Sequence, residues 1–280
     1  MPRLLITNDD GIDSVGLHVL ARALVPLGDV VVVAPDSEYS GASAALGALH
    51  LLQPEVRRAH VDGVPEAWTV NGTPGLCVMF ARLGVFGHVD LVVAGINPGA
   101  NVGRAIYHSG TVGAALTARN GGTSGVAVSQ AVSQYGVEGQ GWDEMIAGQR
   151  WDTAARVGAE VVAAVLADLP VEPVVVNVNV PNVGFDEIVG WRQTAVAMLP
   201  PRTVASGRLH PIEGRDGAFA VEMVWGETVE LPAETDSGAI ERGVVTISFL
   251  SRMVDEPRSD LAGVGSGLDR LLGAAPTLHP

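Results

Sequence analysis

The stretch RLLITNDDGIDSVGLHVLARALVPLGDVVVVAP, residues 3–35, decides the fold class. Arg3 to Thr7 reads as a short buried strand. Ser14 then offers a cap to a segment in which Leu17, Leu20, Ala21 and Leu24 recur on one helical face, closing near Gly28. Asp29 to Pro35 is apolar at consecutive positions, the pattern of a central parallel strand covered on both faces. Strand, helix and strand in that order make one βαβ unit.

The rhythm continues outward from this unit. Thr73 with Pro74 at the first helical position predicts a helix to about Leu83. Asp90 to Ile96 predicts a strand, Thr111 to Arg119 a helix, and Ser124 to Ser129 a further strand. Asp152 to Leu169 predicts a long helix, and PVVVNVNV at residues 173–180 another strand. Such alternation gives a mainly parallel sheet with helices on both faces, a three-layer α/β/α Rossmann-like sandwich. After about Gly184 the rhythm breaks into strand-like pieces at Ile188–Val196, Phe219–Trp225 and Val244–Leu250. Residues 1–184 therefore read as the core, and 185–280 as an antiparallel extension of the same domain, suited to pairing subunits. The tail from Gly263 holds at most a short helix.

Composition excludes several classes. The 280 residues contain no lysine, which removes a Walker-type lysine, a Schiff-base lysine and a lysine general base together. A formal net charge of −14 disfavours a nucleic-acid duplex as partner, because such binding needs cationic surface. One cysteine, Cys77, allows neither an intramolecular disulfide nor a thiolate-rich zinc site. No signal peptide and no membrane-length apolar run are seen, so a cytoplasmic protein with no membrane partner is expected.

Ligands in parallel sheets bind at the carboxyl ends of the strands, where the unusual polar clusters of this chain fall. Asn8-Asp9-Asp10-Gly11 puts two carboxylates directly after the first strand. Hard divalent cations take oxygen ligands, and a cation would offset the repulsion between Asp9 and Asp10. An aspartate capping the turn at Gly11 beside a solvated neighbour explains the same residues. The loop APDSEYSGAS supplies Asp36, Ser37, Ser40 and Ser43, whose hydroxyls serve either a cation or ordinary turns. Asn97 and Asn101 stand among three glycines after the next strand. Ser109-Gly110-Thr111 opens a helix whose first N–H groups suit a phosphate, or form a plain capped end. Together these loops suit metal-assisted cleavage of a phosphate ester.

The motifs NDDG, APDSEYSGAS, GTP, GIN, GANVG and SGTVGAA occur here in the order in which they occur in the survival protein E (SurE) family, which the chain resembles through its whole first half. After residue 184 only Thr235-Asp236 and GVVTIS at 243–248 are similar. The resemblance implies a metal-dependent 5′-nucleotidase that releases phosphate from nucleoside monophosphates. It implies one divalent cation per subunit, Mg²⁺ or Mn²⁺, with Asp9, Asp10, Ser40 and Asn97 as ligands. It also implies an α/β sandwich with a projecting hairpin and an exchanged C-terminal segment, hence a homodimer or homotetramer. Beside that set, our reading gives Asp9 or Asp10 the activation of water. It gives Asn101, Ser109, Gly110 and Thr111 the phosphate oxygens, with Asn8 in support.

The chain departs from the family pattern at Leu76, Ala105 and His108, none of which is a metal ligand. His108 reads as a general acid or as a space-filling side chain, and Arg104 as a phosphate partner or a loop arginine. His18 and His50 read as structural. Trp142 and Trp151 flank Asp143 and Glu144 beyond an insertion suited to a subunit contact or a lid. The rival functions are a phosphatase acting on 3′-nucleotides, short polyphosphate or another ester, and a non-catalytic nucleotide sensor.

Overall fold

In the computed structural model, strands β1 (Arg3–Thr7) and β2 (Asp29–Pro35) lie parallel, joined by helix α1 (Val15–Leu24) as the βαβ reading requires. The structure describes every residue except 48, 50–52, 133–143, 145, 199–201, 252, 254–259, 261 and 273–280, so His50, Trp142 and Asp143 lie outside the described residues. Ser14 stands at the N-cap of α1, but its hydroxyl makes no capping bond.

The remaining elements are β3 (Val56–Arg58), β4 (Glu66–Val70), α2 (Pro74–Arg82), β5 (Leu91–Pro98), α3 (Gly110–Asn120), β6 (Ser124–Gln130), α4 (Trp151–Ala167) and β7 (Val175–Val180). Beyond them come β8 (Gly190–Gln193), β9 (Arg202–Pro211), β10 (Phe219–Thr228), α5 (Asp236–Ile240), β11 (Val244–Leu250) and α6 (Ala262–Leu272). The main sheet runs β3-β4-β2-β1-β5-β6-β7-β11-β8. It is parallel from β4 to β7, with β3 and β11 antiparallel at its flanks and β8 parallel to β11. Strands β9 and β10 form a separate antiparallel hairpin.

Strand side chains alternate between two cores. Val30, Val32 and Ala34 of β2 join Leu17, Leu20 and Leu24 of α1 and Val162 of α4. Val31 and Val33 join Leu76 and Cys77 of α2 and Ala114 and Ala118 of α3 on the other face. Each fully buried valine contributes about 1.5–3 kcal/mol, and β-branching suits the pleated backbone. The three layers follow from this two-sided burial.

Strands β3, β4 and β9 lie outside the sequence expectation. β3 has only three residues, and β9 sits on the hairpin away from both cores, so neither carries the apolar signal of a buried strand. No helix among the described residues is long and apolar enough to cross a membrane.

Candidate active site at the switch point of the sheet

The chain leaves β1 toward β2 on one side and later returns to β5 on the other, so a crevice opens at the carboxyl end of β1. Thr7 pairs with Ala94 across this switch point. Asp10 and Asn97 each lie three residues farther along their own chain. The loop after β2 comes to the same edge, because the Tyr39 N–H donates to the Asp9 carbonyl at 2.7 Å. Gly11 makes the turn possible with φ of +97°, and Asn8 Nδ2 braces it by donating to the Gly11 carbonyl at 2.9 Å.

Asp9 is 2% exposed and holds the first turn of α3. The Gly110 N–H donates to Asp9 Oδ2 at 3.1 Å, and the Thr111 hydroxyl donates to Oδ1. A Cβ on Gly110 would come within 2.7 Å of Asp9 Cβ, so only glycine admits this approach. Ser109 Oγ accepts the Val112 N–H at 3.0 Å as N-cap. The helix end that the sequence offers to an external anion thus already holds an internal one, whose charge the helix dipole favours.

Asp10 has no such support. Its Oδ2 is buried without a hydrogen-bond partner. Burial, then the adjacent Asp9 charge and then Glu38, push the Asp10 carboxyl up to about 8. Burial raises Asp9 as well, against the opposing bonds from Thr111 and Gly110. An orphaned carboxylate oxygen beside a second carboxylate fits a cation, which would supply the missing partner. Asn97 commits its amide nitrogen to the Gly99 carbonyl at 2.6 Å, leaving its oxygen as a ligand atom. Ser40 is exposed, and its N–H donates to Glu38 Oε1 at 2.8 Å. Among the described residues no group of three or more His, Cys, Asp or Glu side chains could hold a metal. A cation here would rest on two carboxylates, a hydroxyl and an amide, all oxygen and therefore suited to a hard ion.

Other expected site residues turn elsewhere. Asn101 is buried, and its side-chain nitrogen donates to Ser129 Oγ at 2.8 Å, away from solvent. A buried amide left unpaired would be costly, which is the physical reason it turns inward. Arg104 Nε donates to the Met198 carbonyl at 2.9 Å. His108 is exposed, and its carbonyl accepts the Ser43 N–H at 3.2 Å. His18 Nε2 pairs with the Ile12 carbonyl at 2.8 Å, in keeping with a structural histidine.

Three features went unread in the sequence. Glu38 adds a third negative charge acting on both aspartates, and its place inside APDSEYSGAS was the available signal. Asn177 and Asn179, fully buried in β7, bond to Asn101. Asp236, also fully buried, accepts the Gly103 and Ala197 N–H groups at 2.9 Å each. It latches the loop after β5 to the C-terminal third.

The family model for the survival protein SurE matches residues 4–200. A 5′-nucleotidase SurE of Haemophilus influenzae (strain ATCC 51907 / DSM 11121 / KW20 / Rd) is 35% identical over 251 residues, covering 88% of this chain and 90% of that protein. One from Xanthomonas euvesicatoria pv. vesicatoria is 38% identical over 194 residues, covering 69% and 68%. The crystal structure of the SurE protein from Aquifex aeolicus superposes with a TM-score of 0.72 at 29% identity, covering 96% of this chain and 99% of that one.

Proposed function

The chain belongs to the survival protein SurE family, and from that premise we propose that it is a 5′-nucleotidase, a divalent-metal-dependent phosphomonoesterase that converts nucleoside 5′-monophosphates to nucleoside and phosphate. The observation that carries the reading is the desolvated Asp9–Asp10 pair at the switch point, with Asp10 Oδ2 lacking any donor. The relatives named 5′-nucleotidase SurE support the reaction class.

Asp9, Asp10, Ser40 and Asn97 would hold one Mg²⁺ or Mn²⁺ per subunit. When bound, the cation supplies positive charge against the phosphoryl oxygens and acidifies water. Asp9 is fixed by Gly110 and Thr111, so its part is to orient. The Asp10 carboxylate takes the proton as the water oxygen bonds to phosphorus. The ester P–O bond breaks and the leaving oxygen takes that proton back from Asp10, ending as the nucleoside hydroxyl. Ser109, Gly110 and Thr111 border the phosphate, while Asn8 and Asn101 brace the loops that carry it. In an acidic chain without lysine, such a cation would supply local positive charge for a phosphate. The assembly in this reading is a homodimer or homotetramer.

Phosphate release from nucleoside 5′- and 3′-monophosphates and tripolyphosphate, each with Mg²⁺, Mn²⁺ or EDTA, tests the proposal. Release led by a 5′-monophosphate and abolished by EDTA is expected. Release led by a 3′-monophosphate or tripolyphosphate would transfer the site to another ester. No release from folded protein would make it a sensor.

A further inference from the structure

We propose that Asn177 and Asn179 are positioning residues for the catalytic loop. The inference rests on the proposed phosphohydrolase reading, because the loop matters to turnover only if Asn97 and the start of α3 belong to the site. In β7 the sequence alternates, VVNVNV. Val176, Val178 and Val180 enter the core shared by α1 and α4, while Val175 packs on the opposite face with Ile106 and Val112. The period-2 rule puts Asn177 and Asn179 on that opposite face, beneath the loop that runs from β5 to α3.

There they grip one residue. The Asn101 N–H donates to Asn179 Oδ1 at 2.7 Å. Asn179 Nδ2 returns a bond to the Asn101 carbonyl at 3.3 Å, and Asn177 Nδ2 donates to the same carbonyl at 2.9 Å. A single side-chain amide that both accepts from and donates to one residue's peptide groups imitates the edge of a strand. The Asn101 side chain adds its bond to Ser129, which stands in register with Asn179 on β6. Asp236 pins Gly103 two residues on.

The loop between Asn97 and Ser109 is thus tied at its middle to the sheet interior. The Gly99 N–H also donates to the Gln130 carbonyl at 2.7 Å and a 3-10 turn spans Gly103–Tyr107, so the asparagines hold the stretch between these two anchors. Fixing Asn101 sets the separation between Asn97, on one side of the crevice, and Gly110 and Thr111, which hold Asp9, on the other. Misplacement by about 1 Å far from the reacting atoms is enough to cost about 10²-fold in rate. Two fully buried asparagines in a strand otherwise built of valine are expensive to keep, and this clamp gives them a use.

The test uses the full chain and its Asn179→Ala, Asn179→Gln and Asn177→Ala variants. Asn177→Ala is the mild variant, since it removes one donor together with an oxygen, Asn177 Oδ1, that lacks a partner. Backbone amide exchange at Asn101 is measured without ligand, and kcat and KM are measured where circular dichroism shows each variant folded. Expected is exchange at Asn101 at least about tenfold faster in Asn179→Ala, with the Val176 and Val178 amides unchanged. A kcat at least about tenfold lower with KM within twofold should accompany it. Asn177→Ala should show the same pattern at smaller size, and Asn179→Gln should recover part of the loss. If Asn179→Ala fails to fold, Asn177→Ala carries the test. Wild-type exchange at Asn101 and wild-type kcat in a folded variant would overturn the clamp. If the wild-type chain releases no phosphate from any substrate, the functional reading fails, and the exchange measurement alone decides whether the clamp exists.

Discussion

Asp9 and Asp10 are neighbours in sequence and opposites in environment. The N–H of Gly110 and the hydroxyl of Thr111 offset part of the burial of Asp9, whereas Asp10 pays for its burial with a carboxyl pushed up to about 8. Its ordinary value is 3.8, so the folded, metal-free chain holds a proton there that the unfolded chain has lost. Stability from this group is fully present below the unfolded value, declines as pH rises and is lost as pH passes about 8. In EDTA the Tm of the wild-type chain should therefore fall between pH 5 and 8 relative to Asp10→Asn, which has no proton to lose. Mn²⁺ should remove most of the difference. A wild-type curve parallel to Asp10→Asn in EDTA would show that Asp10 is not held desolvated. The same variant should lose at least about 10²-fold in phosphate release, since it removes both a ligand charge and the proton acceptor. Cys77 is a simpler case: burial pushes its thiol up, so a thiol reagent should leave it unmodified until the chain is unfolded. Rapid labelling of the native protein would show that the α2 face opens.

Elements carry these residues to the crevice, and some of that was legible in advance. Strands β1, β2 and β5 announce themselves because burial on both faces demands continuous apolar runs, and β7 by the alternating valines of VVNVNV. β3 is too short and β9 too exposed to announce anything. Ser40 and Asn97 enter as ligands only through the family resemblance, whereas the aspartate pair could be singled out by residue type. The filling of the α3 terminus by Asp9 could not, because it joins residues 101 positions apart, and no local pattern encodes such a contact. Likewise Asn177 and Asn179 show their period in the sequence but not their partner. The α3 junction gives a prediction at this scale. In Gly110→Ala the new Cβ would lie 2.7 Å from both Cβ and Oδ2 of Asp9, so the carboxylate must move. Overpacking of this kind costs about 1–3 kcal/mol. The expected result is a lower Tm together with at least about tenfold slower phosphate release. Thr111→Val keeps the volume but removes the donor to Asp9 Oδ1, so its effect should be of the same sign. Unchanged kinetics in both variants, measured below their melting temperatures, would mean that Asp9 does not depend on α3.

At the scale of the whole molecule the hairpin of β9 and β10 is the part that the rest of the chain does not explain. Leu209 lies opposite Val221 in its register, and Phe219 and Met223 share the face of Val221. These four side chains are 66, 66, 52 and 58% exposed. The other face is polar, with His210 Nε2 against Glu222 Oε2 at 2.7 Å. A two-stranded ribbon with an open apolar face is marginal in water unless something packs on it. The occupant in our proposal is a second copy of the chain, whose own hairpin presents the same apolar face. Val221→Glu would bury a carboxylate against that apolar face, and an unpaired buried charge is strongly unfavourable. Sedimentation velocity should find a wild-type dimer or tetramer and shift Val221→Glu toward the monomer. Glu222→Gln, on the polar face, should leave the mass unchanged. Monomeric wild type over the whole concentration range would sink the oligomer. A dimer indifferent to Val221→Glu would move the interface off the hairpin, to a surface such as the exposed edge strand β8 with Trp191. Ala197, five residues before β9, and Gly103, on the loop after β5, share Asp236. Subunit association should therefore be felt at the loop after β5, and a monomeric Val221→Glu variant should show faster amide exchange at Gly103 than the assembled wild type.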